Sequence, residues 1–228
     1  MKRAFAAIIA GLAAALSPTA APAQRPPTAI EIAGYSGLLA AAHSGNVAAI
    51  EKLAAGGAAM EERDGNGRTA LHIAAHARQR EAMQALVRSR ADPLALDAQR
   101  YDAITIAAVA DDVATLRVAL AIGGNPKAIT SPYDGTALIA AAHLGHDEVV
   151  KILIEAGAPL DHVNNLGWTA LIEAVVLGDG GPRHQRTASH LVAARARRDL
   201  GDRNGMTPIE LARQRGYDAM VRILQRKD

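Results

Sequence analysis

Apolar residues along this chain fall into two registers that recur together. In the first, a polar turn leads into an apolar anchor and a run of small residues. Examples are Gly67-Arg68-Thr69-Ala70-Leu71-His72-Ile73-Ala74 and Gly135-Thr136-Ala137-Leu138-Ile139-Ala140. The anchors are Leu38, Leu71, Ile104, Leu138, Leu171 and Ile209, separated by 33, 33, 34, 33 and 38 residues. The second register follows eleven, twelve and fifteen residues after an anchor: Ala49, Ile50 and Leu53, then Ala82, Met83 and Leu86, then Thr115, Leu116 and Ala119. It continues with Val149, Val150 and Leu153, and with Met220, Val221 and Leu224. Steps of one, three and four residues mark one face of an α-helix. Each unit therefore predicts two short helices with facing apolar stripes.

Composition sharpens this picture. Half of the 228 residues are apolar, yet only 3% are aromatic. Cores of Ala, Leu, Ile and Val let helix backbones approach closely, which suits thin stacked helices. The expected fold class is all-α, a solenoid. The length accommodates one domain or one short array with a real core.

The N-terminus predicts the compartment. Met1-Lys2-Arg3 precedes the apolar run Ala4 to Leu16, and Ala21-Pro22-Ala23 ends in the small-x-small pattern of a signal-peptidase site. Thirteen apolar residues fall short of the roughly 20 that span a bilayer. A signal peptide over 1–23, cleavage between Ala23 and Gln24, and a periplasmic or secreted product are expected; the Ala-rich signal is bacterial in character. The chain contains no cysteine, which excludes disulfides, thiolate nucleophiles, Cys-based zinc sites and a lipid-anchored N-terminal Cys. Losing Lys2 and Arg3 takes the 25 basic residues to 23, matching the 23 acidic ones. A neutral chain is a poor electrostatic partner for nucleic acid.

The 33-residue period, Thr69-Ala70-Leu71-His72-Ile73-Ala74, Thr207-Pro208-Ile209, and the fourth unit from Asp134-Gly135-Thr136-Ala137-Leu138 through Gly145-His146-Asp147-Glu148-Val149-Val150 to Ala156-Gly157-Ala158 resemble the ankyrin-repeat family. The resemblance covers 34–228 as about six helix-turn-helix repeats, near 34–63, 64–96, 97–130, 131–163, 164–201 and 202–228, behind a linker at 24–33. It implies β-hairpin-like loops, each followed by two antiparallel helices, stacked into a curved array that binds proteins along its concave side. It also implies that His72 hydrogen-bonds between units and that His146 is structural. Some periplasmic members support oxidative-stress enzymes such as catalase, which makes a stress-response enzyme one expected partner.

Departures from the pattern are informative. The glycine expected in a left-handed conformation after the second helix is Arg90 in repeat two and Arg195 in repeat five, at a cost of about 1 kcal/mol. Repeat three has Asp102 and Arg100 in place of the Thr and the turn Gly, so repeats two, three and five are expected to be looser. Repeat five also carries five extra residues around Gly178-Asp179-Gly180-Gly181-Pro182-Arg183, expected to form a mobile loop.

Candidate chemistry is sparse. The glycine-rich stretch lacks the Lys-Ser/Thr of a P-loop, and no Gly-x-Ser-x-Gly elbow occurs. The pairs His72/His76 and His143/His146 have helical spacing but no Glu-x-x-His or third ligand. Asp64 and Asp202 read as loop formers. No catalytic residue, metal or cofactor is expected. Five residues past each anchor stand His43, His76, Val109, His143 and Val176; beside them stand Ser44, Ala77, Ala110, Leu144 and Leu177. In the ankyrin arrangement these rows line the groove, either as a binding floor or as short residues that permit curvature. If the imidazoles face a partner, binding weakens between about pH 7 and 5 as they gain charge.

Of the five aromatic residues past the signal, Tyr101, Tyr133 and Trp168 fall in inter-repeat loops, with Arg68 at the equivalent position in repeat two. These residue types dominate interface energetics, so Arg68, Tyr101, Tyr133 and Trp168 are expected as exposed anchors, or Trp168 folds back on the adjacent helix. The functional expectation is a monomeric, non-enzymatic adaptor that engages another protein and does not insert into membranes. A metal- or small-molecule-binding module using His43, His76 and His143, or a secreted effector acting on host proteins, are the alternatives.

Overall fold

A computed structural model describes residues 24–226, so the expected signal peptide at 1–23 lies outside the described residues. The described residues form thirteen α-helices. After α1 (Ala29–Gly34) they come in pairs: α2 (Gly37–Ser44) with α3 (Val47–Ala55), α4 (Ala70–His76) with α5 (Arg80–Arg88), and α6 (Ala103–Val109) with α7 (Val113–Ala121). The remaining pairs are α8 (Ala137–Leu144) with α9 (Asp147–Glu155), α10 (Ala170–Val176) with α11 (Pro182–Ala193), and α12 (Pro208–Gln214) with α13 (Asp218–Leu224). Each first helix packs on the next first helix, and each second helix on the next second helix. The result is a two-layer stack of six units.

Local chemistry starts each unit. Asp102 Oδ1 accepts from Thr105 N at 2.7 Å, Thr136 Oγ1 from Ile139 N at 3.3 Å, and Thr169 Oγ1 from Ile172 N at 3.2 Å. Thr207 forms a capping box with Glu210. Each such cap contributes about 1 kcal/mol, and the Asp in repeat three caps as the threonines do. The linker expected at 24–33 is partly helical, because Thr28 and Glu31 form a capping box that starts α1.

The second helices end alike. Backbone N–H groups of Ala58, Ala91, Gly124, Ala158 and Ala196 each reach back to a carbonyl five residues earlier, as in Ala91 N to Leu86 O at 3.0 Å and Ala196 N to Leu191 O at 3.0 Å. That bond forces the residue before it into the left-handed region. Arg90 and Arg195 sit there at φ 76° and 68°, matching Gly57 at 82° and Gly157 at 84°. Arg100 likewise takes φ 64° at the loop position of Gly67 and Gly167.

Hairpin-like loops join the pairs. One side chain closes each tip: Asp64 Oδ1 accepts from Asn66 N and Arg68 N, Asp97 Oδ1 from Gln99 N and Tyr101 N, Ser131 Oγ from Tyr133 N and Gly135 N, Asn164 Oδ1 from Leu166 N and Trp168 N, and Asp202 Oδ1 from Asn204 N and Met206 N. Adjacent loops are stitched by backbone bonds from Ala98 N to Asn66 O, Ser131 N to Arg100 O and Asn165 N to Tyr133 O. All six anchors except Ile209 are fully buried or nearly so, and the core is Ala, Leu, Ile and Val with few larger residues.

The expected mobile loop of repeat five is an ordered connection. Three of the five extra residues lengthen α11 to twelve residues against nine in α5, and Pro182 occupies its first turn, where a missing N–H costs nothing. The residues between α10 and α11 are tied down on several sides. The Tyr217 hydroxyl donates to Gly178 O at 3.1 Å, Gln185 Nε2 to Gly180 O at 2.7 Å, and Gly181 N to Asp179 Oδ1 at 2.8 Å. His184 Nε2 donates to His143 O at 3.0 Å and its Nδ1 lies 2.9 Å from Asp179 Oδ1.

Candidate protein-binding face

The face of the first-helix layer that points away from the second helices is set by the residues at the C-terminal ends of α2, α4, α6, α8 and α10. Along it, Leu144 and Leu177 hold equivalent positions in adjacent repeats and are 41% and 37% exposed. Of the other large apolar side chains exposed among the described residues, Ile30 lies in α1 and Leu94, Ile129 and Val163 lie in the loops between pairs, so Leu144 and Leu177 are the two exposed on this helical layer. His143, 47% exposed, precedes Leu144, and half-buried Val176 precedes Leu177. These four share one stretch of surface across repeats four and five.

The other members of the histidine row are less available. His43 is half-buried beside Tyr35, with ring centroids 6.4 Å apart. His76 is half-buried, and its Nε2 is sealed from solvent without a hydrogen-bond partner. Burial, aided by the positive Arg68 nearby, lowers its pKa to about 4. His76 therefore does not gain charge between pH 7 and 5, which corrects the expectation that the row titrates together in that window.

His72 does bridge units: its Nε2 donates to Tyr101 O of the next repeat at 2.9 Å while Nδ1 accepts from Thr69 N at 3.1 Å. Burial lowers its pKa, consistent with a neutral ring in this role. His146 Nδ1 donates to Ala108 O of the preceding repeat at 2.9 Å. Among the described residues no three His, Cys, Asp or Glu side chains converge as a metal-binding group.

Two of the expected loop anchors are corrections. Arg68 is 3% exposed; its Nε meets Asp64 Oδ2 at 2.7 Å and its Nη2 meets Glu31 Oε1 at 2.8 Å. Tyr35 donates its hydroxyl to the same Asp64 Oδ2 at 2.8 Å. Burial opposes ionisation of Asp64, but these bonds and those from the Arg68 and Asn66 backbone prevail and hold its pKa low. Arg68 thus fastens α1 and the first repeat to the second. Tyr101 is 6% exposed, and burial raises its pKa. In both cases a neighbouring element covers the loop: α1 and the segment before it lie over Arg68, and the stacked loops enclose Tyr101. Tyr133 and Trp168 are half-buried, and Trp168 packs on the core cluster while keeping part of its ring in solvent.

Sequence reasoning passed over Glu173, a carboxylate 3% exposed within this face. The signal was present: the residues at its register in the other repeats are Ala40, Ile73, Ile106, Ala140 and Leu211, all apolar.

An array of helix pairs with stacked hairpin tips, a left-handed residue closing each of the first five pairs and a histidine bridging units is the architecture of ankyrin repeats. The chain belongs to that family: its profile, described as ankyrin repeats (3 copies), matches residues 20–97, 37–126 and 104–192. The chain is 32% identical over 187 residues to the ankyrin repeat protein YahD of Escherichia coli (strain K12), covering 82% of this chain and 92% of that one. Among solved structures, an ankyrin repeat domain from Acinetobacter baumannii AYE superposes with a TM-score of 0.77 at 38% identity, covering 82% of this chain and 95% of that one. The ankyrin repeat protein EF0377 gives a TM-score of 0.77 at 30% identity, over 85% and 100% of the two chains.

Proposed function

We propose that this protein is an exported bacterial adaptor that binds another protein across repeats four and five and performs no catalysis itself. Ankyrin repeats generally serve protein–protein interaction, and a regular scaffold leaves specificity to its exposed variable positions. The observation that carries the reading is the exposed pair Leu144 and Leu177 at one register beside His143 and Val176. Half-exposed Trp168 and Tyr133 at the loops extend the surface toward the tips. Export rests on the basic start, apolar run and Ala21-Pro22-Ala23 of the N-terminus, and a periplasmic stress-response enzyme is the partner class that fits this compartment.

The test expresses the full chain with a C-terminal tag in its own bacterium. Cell fractionation and N-terminal sequencing should give a periplasmic form that begins at Gln24; a full-length cytoplasmic form would overturn the export half. Cross-linking and capture from the same cells should yield one dominant protein, lost when Leu144 and Leu177 are both replaced by Asp. Equal capture by the double variant would overturn this choice of face.

A further inference from the structure

One oxygen of a buried carboxylate inside this face is left without a hydrogen bond. Glu173 stands on α10 where the other five repeats carry apolar residues. Its Oε1 accepts from Asn164 Nδ2 at 2.8 Å, which fixes the carboxylate plane. Its Oε2 is sealed from solvent and accepts no hydrogen bond. The group nearest in charge is His143, whose Nδ1 lies 3.4 Å from Oε2 and whose side chain is 47% exposed. A buried carboxylate oxygen without a donor is costly; Glu173 supports the loop-closing Asn164 through Oε1, and Oε2 takes no part in that contact. The unsatisfied oxygen therefore faces an imidazole whose own side chain is about half in solvent.

The surroundings define what would complete it. Leu144, Val176 and Leu177 form apolar shoulders suited to a methylene stem. Arg183 donates its Nε to Gly145 O, next to Leu144, and is committed to Asp111 at 2.6 Å and Asp147 at 3.5 Å. Arg186 is likewise held by Asp147 at 2.5 Å. The basic group placed against Oε2 is the His143 imidazole, 3.4 Å away.

Resting on the docking role proposed above, we propose that Glu173 is the recognition carboxylate for a lysine or arginine side chain of the partner protein. The incoming cation passes between Leu144 and Leu177, displaces the His143 ring and donates to Oε2. Charge-assisted bonds of this kind are the strong ones, so the residue sets which partner segment is accepted, while the leucines supply contact area.

The experiment titrates the purified ¹⁵N-labelled protein with three blocked tripeptides, Leu-Arg-Leu, Leu-Gln-Leu and Leu-Glu-Leu, and follows backbone amide shifts. The arginine peptide should perturb residues 140–144 and 171–177 and bind about tenfold more tightly than the glutamine peptide; the glutamate peptide should bind least. Glu173→Gln, which keeps the bond to Asn164, should erase the difference between the arginine and glutamine peptides at an unchanged melting temperature. His143→Ala should tighten the arginine peptide by removing the ring it displaces. Arginine and glutamine peptides bound alike by the unaltered protein, or discrimination retained by Glu173→Gln, would overturn the proposal. If that happens while the Leu144→Asp, Leu177→Asp variant still loses the captured protein, the docking face stands and only the role of Glu173 falls.

Discussion

Replacing Arg90 and Arg195 together by glycine should stabilise the array. Both residues are held at positive φ, 76° and 68°, by the backbone bonds that end α5 and α11. An L-residue in that region costs roughly 1–2 kcal/mol, and glycine returns about 0.5–1 kcal/mol of the gain through its freer unfolded chain. The net expectation is about 0.5–1 kcal/mol per site. α5 packs on α3, α4 and α7, and α11 on α8, α9, α10 and α13, so the sites share no element and their effects should add to about 1–2 kcal/mol. For a chain of this size that corresponds to a rise in Tm of about 3–6 °C. Differential scanning calorimetry and urea unfolding of the single and double variants read it directly. Gly157→Ala supplies the reverse test: at φ 84° the added methyl meets nothing nearer than Lys127 Cε at 3.8 Å, so a loss of about 1 kcal/mol there isolates backbone strain from crowding. A double variant that melts at or below the parent would refute the reasoning.

Arg68→Ala should unfold the N-terminal end rather than weaken partner binding alone. It leaves the buried Asp64 carboxylate without its ion pair, at a cost of about 3 kcal/mol, visible as faster hydrogen exchange in residues 37–55; unchanged exchange would return Arg68 to the surface. Stability should also fall in acid through His76. The folded state keeps it neutral, with a pKa of about 4, while an unfolded histidine titrates near 6.5. The unfolded chain therefore binds the extra proton, and stability is lost as pH falls from about 6.5 to 4, levelling below that. Burial of His72 acts in the same direction. Urea midpoints at pH 7, 5.5 and 4.5 should decline, less steeply for His76→Leu; parallel slopes would count against this assignment. Trp168→Ala should leave the helical circular dichroism intact, cost about 1–2 kcal/mol for a half-buried ring, and reduce capture of the partner. Loss of the helical signal would make it a structural residue only.

Much of the fold was legible because ankyrin units are specified locally. The short helix spacings within each unit, the Thr or Asp that caps the first helices of repeats two to six, and the loop aspartates Asp64 and Asp202 each act through neighbours a few residues away. The left-handed positions were readable for the same reason, even where Arg90 and Arg195 replace glycine. The exposed pair Leu144 and Leu177 was also accessible, since the register alone places it on the open face. Arg68 and Tyr101 were misread because a loop residue looks solvent-facing when one unit is considered by itself. The insertion was misread in a similar way: its glycines suggest freedom, but Tyr217, Gln185 and His184 supply partners from other elements.

What the sequence determined by itself was the repeat, its helix pairs and the residues that begin and end them, since these depend on short-range spacing, capping and backbone conformation. What only the tertiary structure decided was exposure. Stacking one unit on the next covers Arg68 and Tyr101 and places the bare oxygen of Glu173 beside the His143 of the preceding repeat. Burial at these positions is created by a neighbour about 33 residues away, so no single unit carries the information about which of its side chains remain free to bind.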